Sequence, residues 1–381
     1  MTMAADKQDK VLNVPTLRFP EFSGDWKEST IGKEFELYSG NTPSRLDKEN
    51  FVGDVNWITS GELKDHYIGD TKEKISENSA KENNLRLLPE GTFVIAIYGL
   101  EAEGVRSTGS IITKQSTISQ ACMAFTPKGI ISNEFLYSWY KKHGNVIGIR
   151  YAQGTKQQNL SYDIIEKFKI RYPSLQEQDK LNSFISLLDT RISTQSRIID
   201  KLKSLMKGLA ENFTAFTPNT KIADCLNCHS SVLLENQVKS EGYYKVYGAN
   251  GICGYSDSPA ILEDAILIVK DGSGVGNVSY ASGEYSVIGT SNYLTAKSGY
   301  SLKYLYYCLM IFNFVPYRTG MAIPHIYFKD YGKALIYCPS LDKQVQIATL
   351  LSMIECKIEA EKAITDSYQQ QKRFLLQSMF I

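Results

Sequence analysis

The chain has 381 residues, 43% of them apolar and 22% charged, enough for two domains of ordinary size and ordinary composition. No run of about 18 apolar residues occurs, and the polar start MTMAADKQDK lacks the apolar core of a signal peptide. These features argue against a membrane-spanning or exported protein, so a cytoplasmic location is expected, with the seven cysteines as reduced thiols. A net charge of +1 argues against a uniformly basic nucleic-acid binder, and any such surface must be local.

Residues 1–14 are polar and are expected to be disordered. Leu17-Arg18-Phe19-Pro20-Glu21-Phe22 leads to Trp26, an aromatic-rich segment expected to pack on a first domain spanning 15–172. Ile31 to Tyr38 reads as a strand or short helix, Gly40 to Ser44 as a turn, Asn56 to Gly61 as a strand ending in a turn, and Thr92 to Ile97 as a buried strand. Short strands to Phe125, a helix from Asn133 through Tyr140 and the loop Gly154-Thr155-Lys156-Gln157-Gln158-Asn159 complete that domain. Between Gly104 and Tyr172 stand ten basic residues against three acidic ones, concentrating positive potential in one half of the domain.

A long amphipathic helix is expected over 173–214. Ser174 and Glu177, just after Pro173, form a capping-box pattern. Leu181, Ile185, Leu188, Ile192, Gln195, Ile199, Leu202, Met206 and Leu209 then recur at alternating steps of four and three, a heptad seam. A second domain is expected over 215–338, with strands at Tyr244–Tyr247 and Ala265–Val269 and a helix around Tyr304–Tyr307. A second long helix follows over 339–381.

The chain repeats itself. Pro173-Ser174-Leu175-Gln176-Glu177-Gln178 and Pro339-Ser340-Leu341-Asp342-Lys343-Gln344 are 166 residues apart (339 − 173 = 166), and Gly154 and Gly320 share that offset. In the second helix the seam runs through Ile347, Leu351, Ile354, Ile358 and Glu361, the last being the equivalent of Gln195. The fold class expected is α+β: two β-rich domains in tandem repeat, separated by two long antiparallel helices forming an intramolecular coiled coil. Gln195 and Glu361 are expected to meet as a polar, register-setting layer.

Cys225-Leu226-Asn227-Cys228-His229 spells a haem c attachment motif and, with Cys253, suggests zinc. The repeat argues against both, because it lays this stretch over Glu34-Phe35-Glu36-Leu37-Tyr38. Asp271-Gly272-Ser273-Gly274-Val275-Gly276 resembles a nucleotide-binding loop, but a strand rather than a helix is expected next, which leaves a tight turn. There is no G-x-S-x-G, P-loop, H-E-x-x-H or D/N-P-P-Y/F stretch. A binding rather than a catalytic chain is expected, with no metal and no cofactor of its own.

Lysines, amides and tyrosines in turns suit phosphate contact and base-edge readout. The first candidates are Lys156, Gln157, Gln158 and Asn159, with Lys141, Lys142, Arg150 and Arg106 as phosphate contacts. Tyr98, Tyr247, Asn250, Lys270, Asn277, Asn292 and Arg318 complete the set. The plainer reading of each is a core residue or a solvated face.

The two helix starts, each following a domain with a loop such as Gly154–Asn159, resemble those of specificity subunits of type I restriction-modification systems. Leu17–Phe22, Gly40–Ser44, Trp57-Ile58-Thr59-Ser60-Gly61 and Tyr247-Gly248-Ala249-Asn250-Gly251 are also similar to stretches in that family. The resemblance implies target recognition domains that each read half of a split, asymmetric site in double-stranded DNA, with the helices setting the spacing. It further implies docking of two methyltransferase (M) subunits, which use S-adenosylmethionine, and of restriction (R) subunits, which use ATP and Mg. The departures lie in the second copy, where Gly320-Met321-Ala322-Ile323-Pro324-His325 is a looser loop and Lys343 replaces Glu177. The alternative reading is a coiled-coil scaffold that binds proteins through its β-rich domains.

Overall fold

The computed structural model describes residues 13–99, 108–151, 158–321 and 323–381. It divides into two compact units, Met1–Ser193 with Thr365–Ile381, and Thr194–Ile364. Each unit takes part of both long helices, so the units cut across a division made in chain order. Of the N-terminal stretch expected to be disordered, residues 1–12 lie outside the described residues, whereas the Asn13 carbonyl accepts from Trp26 N at 2.8 Å.

The first unit runs β1 (Lys27–Thr30), α1 (Ile31–Glu34), β2 (Phe35–Ser39), β3 (Val55–Ile58), β4 (Tyr67–Ile68), β5 (Lys74–Ile75), α2 (Glu77–Glu82), β6 (Phe93–Ala96), β7 (Tyr98–Gly99), β8 (Gly109–Ile112), β9 (Ser116–Ile118) and β10 (Cys122–Pro127). There follow α3 (Asn133–Tyr151), β11 (Gln158–Asn159), α4 (Tyr162–Ile165), β12 (Lys169–Tyr172) and α5 (Leu175–Thr214), whose residues after Ser193 belong to the second unit. The main sheet of the first unit has the order β2-β10-β6-β8-β4, and a smaller one the order β5-β3-β9. Phe93 to Ala96 is buried on both faces, which explains its unbroken apolar run. Helix α3 extends well past Tyr140, because Ile147 continues the buried stripe begun by Leu136 and Tyr140.

The second unit repeats the order: β13 (Thr220–Lys221), α6 (Ile222–Cys225), β14 (Leu226–Ser230), β15 (Tyr244–Gly248), β16 (Gly251–Ser256), β17 (Ala265–Val269), β18 (Val278–Ala281), β19 (Tyr285–Val287) and β20 (Ser291–Ala296). Then come α7 (Leu302–Met310), α8 (Phe328–Tyr331), β21 (Leu335–Ile336) and α9 (Leu341–Met379). Its sheets have the orders β14-β20-β17-β18 and β16-β15-β19. Helix α6 and strand β14 repeat α1 and β2 residue for residue (222 − 31 = 191). In the smaller sheets β3 pairs parallel with β9, and β15 parallel with β19.

Helices α5 and α9 start at equivalent residues, Leu175 and Leu341. Ser174 Oγ accepts from Glu177 N at 3.4 Å, which is one half of the expected capping box. The other half is not made. The Glu177 carboxylate, buried, turns to Arg18 through two bonds of 2.8 Å and to Trp26 Nε1 at 3.3 Å. A charge removed from water favours a cation over a neutral amide.

In the first unit Leu181, Ile185 and Leu188 of α5 share a core with Leu375, Leu376 and Met379 of α9, and Asp189 meets Lys372 at 2.5 Å. In the second, Met206, Leu209 and Ala210 share a core with Ile347, Ala348 and Leu351. There Gln195 Nε2 donates to Glu361 Oε2, and Lys357 pairs with the same carboxylate. Within each unit the two helices therefore run antiparallel.

Candidate nucleic-acid interface

In both units the segment that follows the central strand of the main sheet meets the segment that precedes the short helix α4 or α8. In the first unit β7 pairs with β11, setting Asn159 opposite Tyr98 and Gln158 opposite Gly99, and Leu160 N donates to Ile97 O. Tyr98 and Asn159 are both exposed. In the second unit Asp271 bridges His325, and Ile326 N donates to Lys270 O, the same bond shifted by the repeat. The loop that looked looser in sequence is thus anchored in the same way as its counterpart.

The second-unit loop can be followed closely. Thr319 and His325 exchange backbone hydrogen bonds of 2.9 and 2.8 Å, and Gly272 N donates to Pro324 O. Asp271 holds His325 Nδ1 at 2.7 Å and Lys270 Nζ at 2.5 Å. Burial raises the Asp271 pKa, but the bonds from Lys270 and His325 outweigh it and keep the carboxyl below its ordinary range. Arg318 reaches the Val275 carbonyl at 2.8 Å, and Asn277 is exposed just after the glycine turn. As expected, that turn leads into a strand, β18. Lys270, Arg318 and Asn277 are therefore gathered on one surface.

The remaining candidates are dispersed. Lys156, Gln157 and Arg106 lie outside the described residues, and of Gln158 and Arg150 only the backbone is described. Lys142 Nζ donates to the carbonyls of Gln377, at 2.9 Å, and Phe380, at the end of α9. It caps that helix, where a cation complements the dipole. Lys141 lies over the Tyr137 ring, 5.1 Å from its centroid, and burial together with Lys372 lowers its pKa to about 8. Both lysines are half-buried and engaged within their own unit. Asn292 is buried in β20 and accepts from Ser230 Oγ at 3.0 Å, so its amide is turned into the sheet. Tyr247 packs edge-on against Tyr285 at 5.5 Å, and Asn250 is exposed in the β15–β16 turn.

Cys225 is buried in the core, Cys228 is half-buried, and His229 pairs with Thr295 Oγ1 at 3.0 Å while stacking on Tyr293. All seven cysteines are free thiols. Among the described residues no group of three His, Cys, Asp or Glu side chains is placed to hold a metal, and no helix is long and apolar enough to cross a membrane.

One cluster gave no signal in the sequence. His66 lies between the rings of Tyr67 and Tyr137, at 4.1 and 3.9 Å, with Nδ1 3.2 Å from Asp189 and Nε2 2.9 Å from Glu134. At the position equivalent to Asp189, Glu355 accepts from Tyr306 and Tyr307 and pairs with Lys303 at 2.7 Å. Each long helix thus offers a carboxylate to a basic side chain of its neighbouring domain, His66 or Lys303, but these come from unrelated positions.

Residues 23–204 and 221–368 match the model of the type I restriction modification DNA specificity domain. The chain belongs to that family. It is 28% identical over 199 residues to the MjaIX specificity subunit of Methanocaldococcus jannaschii, covering 51% of this chain and 45% of that protein. It is 22% identical over 363 residues to the EcoprrI specificity subunit of Escherichia coli, covering 85% and 86%. The chain thus spans about half the length of the first relative and most of the second. The S subunit from M. genitalium superposes with a TM-score of 0.61 at 17% identity, covering 97% of this chain and 99% of that one. A chain from a structure of complex assembly and conformational transition of the type I R-M system gives 0.55 at 14%, covering 92% and 96%.

Proposed function

We propose that this chain is the non-catalytic DNA-recognition subunit of a type I restriction-modification complex, reading a bipartite, asymmetric site in double-stranded DNA. The observation that carries the reading is the twofold occurrence of the specificity domain, each copy presenting the same anchored pair of segments with exposed polar or basic side chains. Lys270, Arg318 and Asn277 in the second copy, and Tyr98 and Asn159 in the first, combine phosphate-binding and base-reading chemistry.

In this reading α5 and α9 form the coiled-coil spacer between the two readers, and Gln195 with Glu361 fixes its register. A helix of about 40 residues is about 60 Å long, which leaves side surface for partners. Methyltransferase subunits dock there, and restriction subunits join them. A groove of about 590 Å³ along α9, lined by Lys303, Val345, Met353 and Cys356, supports such docking. S-adenosylmethionine, ATP and Mg belong to those partners.

The test is to express the chain with its methyltransferase partner and map methylated adenines genome-wide. A recurring two-part motif is expected. A partner that methylates the same motif without this chain overturns the proposal, as does turnover by this chain alone.

A further inference from the structure

Residues 319–321 and 323–325 are anchored at three points yet present apolar side chains to water. Their ends are joined by the Thr319–His325 backbone pair, their flank by Gly272 N to Pro324 O, and their base by the Asp271–His325 contact. Gly320 has φ +86°, and a Cβ there would stand 2.3 Å from Ile323 O, so the tight closure requires glycine. Despite this anchoring Met321 is fully exposed and Ile323 is 58% exposed. The exposed Arg318 and Lys329 stand near them in the chain, while Lys270 and Asp271 are paired with each other.

Two exposed apolar side chains on an anchored turn, beside the exposed cations Arg318 and Lys329, suit an anionic partner with apolar patches. Duplex DNA has that combination: phosphates outside, and thymine methyl groups and base edges within the grooves. The 166-residue offset lays Met321 and Ile323 over Thr155 and Gln157. The two copies therefore carry apolar chemistry at one loop and hydroxyl and amide chemistry at the other.

We propose that Met321 and Ile323 are specificity-determining residues that make apolar contact with bases of the half-site read by the second domain. This rests on the DNA-recognition reading above, and deepens it. Apolar contacts release no counterions, so they contribute to affinity without contributing to its salt dependence, unlike Arg318.

The experiment uses the full chain with its methyltransferase partner and, as probe, a duplex bearing the motif mapped for the unaltered chain. Met321→Ala with Ile323→Ala is compared with Arg318→Ala. Both replaced apolar side chains are exposed, so folding is retained, which circular dichroism verifies. The double variant is expected to bind the probe on the order of tenfold more weakly, with an unchanged salt slope, and to relax only one half of the mapped motif. Arg318→Ala is expected to flatten the slope. Binding within twofold of the unaltered chain, or an unrelaxed motif, overturns the contact while leaving the DNA reading intact. An unaltered chain that yields no recurring motif overturns both.

Discussion

Gln178 and Gln344, 166 residues apart, make the same two hydrogen bonds. Each carboxamide oxygen accepts from a serine N–H at the start of a domain helix, Ser132 and Ser301, both at 3.0 Å. Each amide nitrogen donates to the proline carbonyl just before its own helix, Pro173 at 3.1 Å and Pro339 at 2.8 Å. Both side chains are buried, so one amide joins two helix starts where water does not reach.

Replacing either glutamine by leucine strands a buried donor and a buried acceptor. Gln178→Leu and Gln344→Leu are each expected to destabilise the chain by about 2–4 kcal/mol. Urea denaturation checks this. A loss below about 0.5 kcal/mol, the range of an ordinary surface substitution, contradicts it.

The equivalent positions 177 and 343 differ. Glu177 joins Arg18 and Trp26 and holds the Arg18 guanidinium above its ordinary range through a hydrogen bond, while Lys343 is exposed. Glu177→Ala is expected to cost about 3 kcal/mol, because it leaves the Arg18 charge with only the Ser23 and Gly24 carbonyls as partners. Lys343→Ala should fall within about 0.5 kcal/mol of the unaltered chain. Equal effects measured by denaturation would remove the distinction.

His66 makes the first unit sensitive to pH. Burial lowers its pKa, but bonds from Asp189 and Glu134 outweigh this and raise it above 6.5. A raised pKa contributes stability fully below about 6.5 and loses it as pH rises through the folded value. Asp189 is held below its ordinary range: burial raises it, but His66 and Lys372 more than compensate, so its contribution fades only in acid. His143 acts oppositely to His66, since burial lowers it to about 4 and its contribution is lost on acidification. The informative quantity is thus the difference in Tm between the unaltered chain and His66→Gln. That gap is expected to narrow between pH 6 and 9; a gap constant across this range would refute the charged pairing.

Gln195 is half-buried and Glu361 buried in the helix pair, where Lys357 also meets the carboxylate. Gln195→Leu alone leaves the carboxylate with fewer partners and is expected to cost about 1–3 kcal/mol. Gln195→Leu with Glu361→Leu is expected to recover that loss, since apolar packing rivals a buried polar pair. A double-mutant cycle by denaturation decides it. Additive losses would show that the two side chains act independently.

The repeat and both helix starts were legible in the sequence, because proline, serine and heptad spacing are local signals. What Glu177 bonds to was not, because Arg18 and Trp26 lie far from it in the chain. The extension of α3 to Tyr151 was hidden by Gly144 and by polar residues around a sparse apolar stripe. Lys141 and Lys142 counted toward a basic stretch, but a charge tally does not say which face of a helix each lysine occupies. Asn292 likewise looked like a reading residue until pairing with Ser230 turned it inward. The partners of Asp189 and Glu355, His66 and Lys303, could not be inferred from one another, since the repeat preserves the carboxylates and not the groups that meet them.

The matched amide sockets at the two helix starts have a consequence for inheritance. A recognition module cut just before Pro173 or Pro339 carries its plug-in serine with it and finds an identical glutamine waiting at either junction. The neighbouring rod position is not matched: a first module moved ahead of Pro339 brings Arg18 and Trp26 to Lys343 instead of Glu177, so exchange between the joints also calls for a carboxylate there.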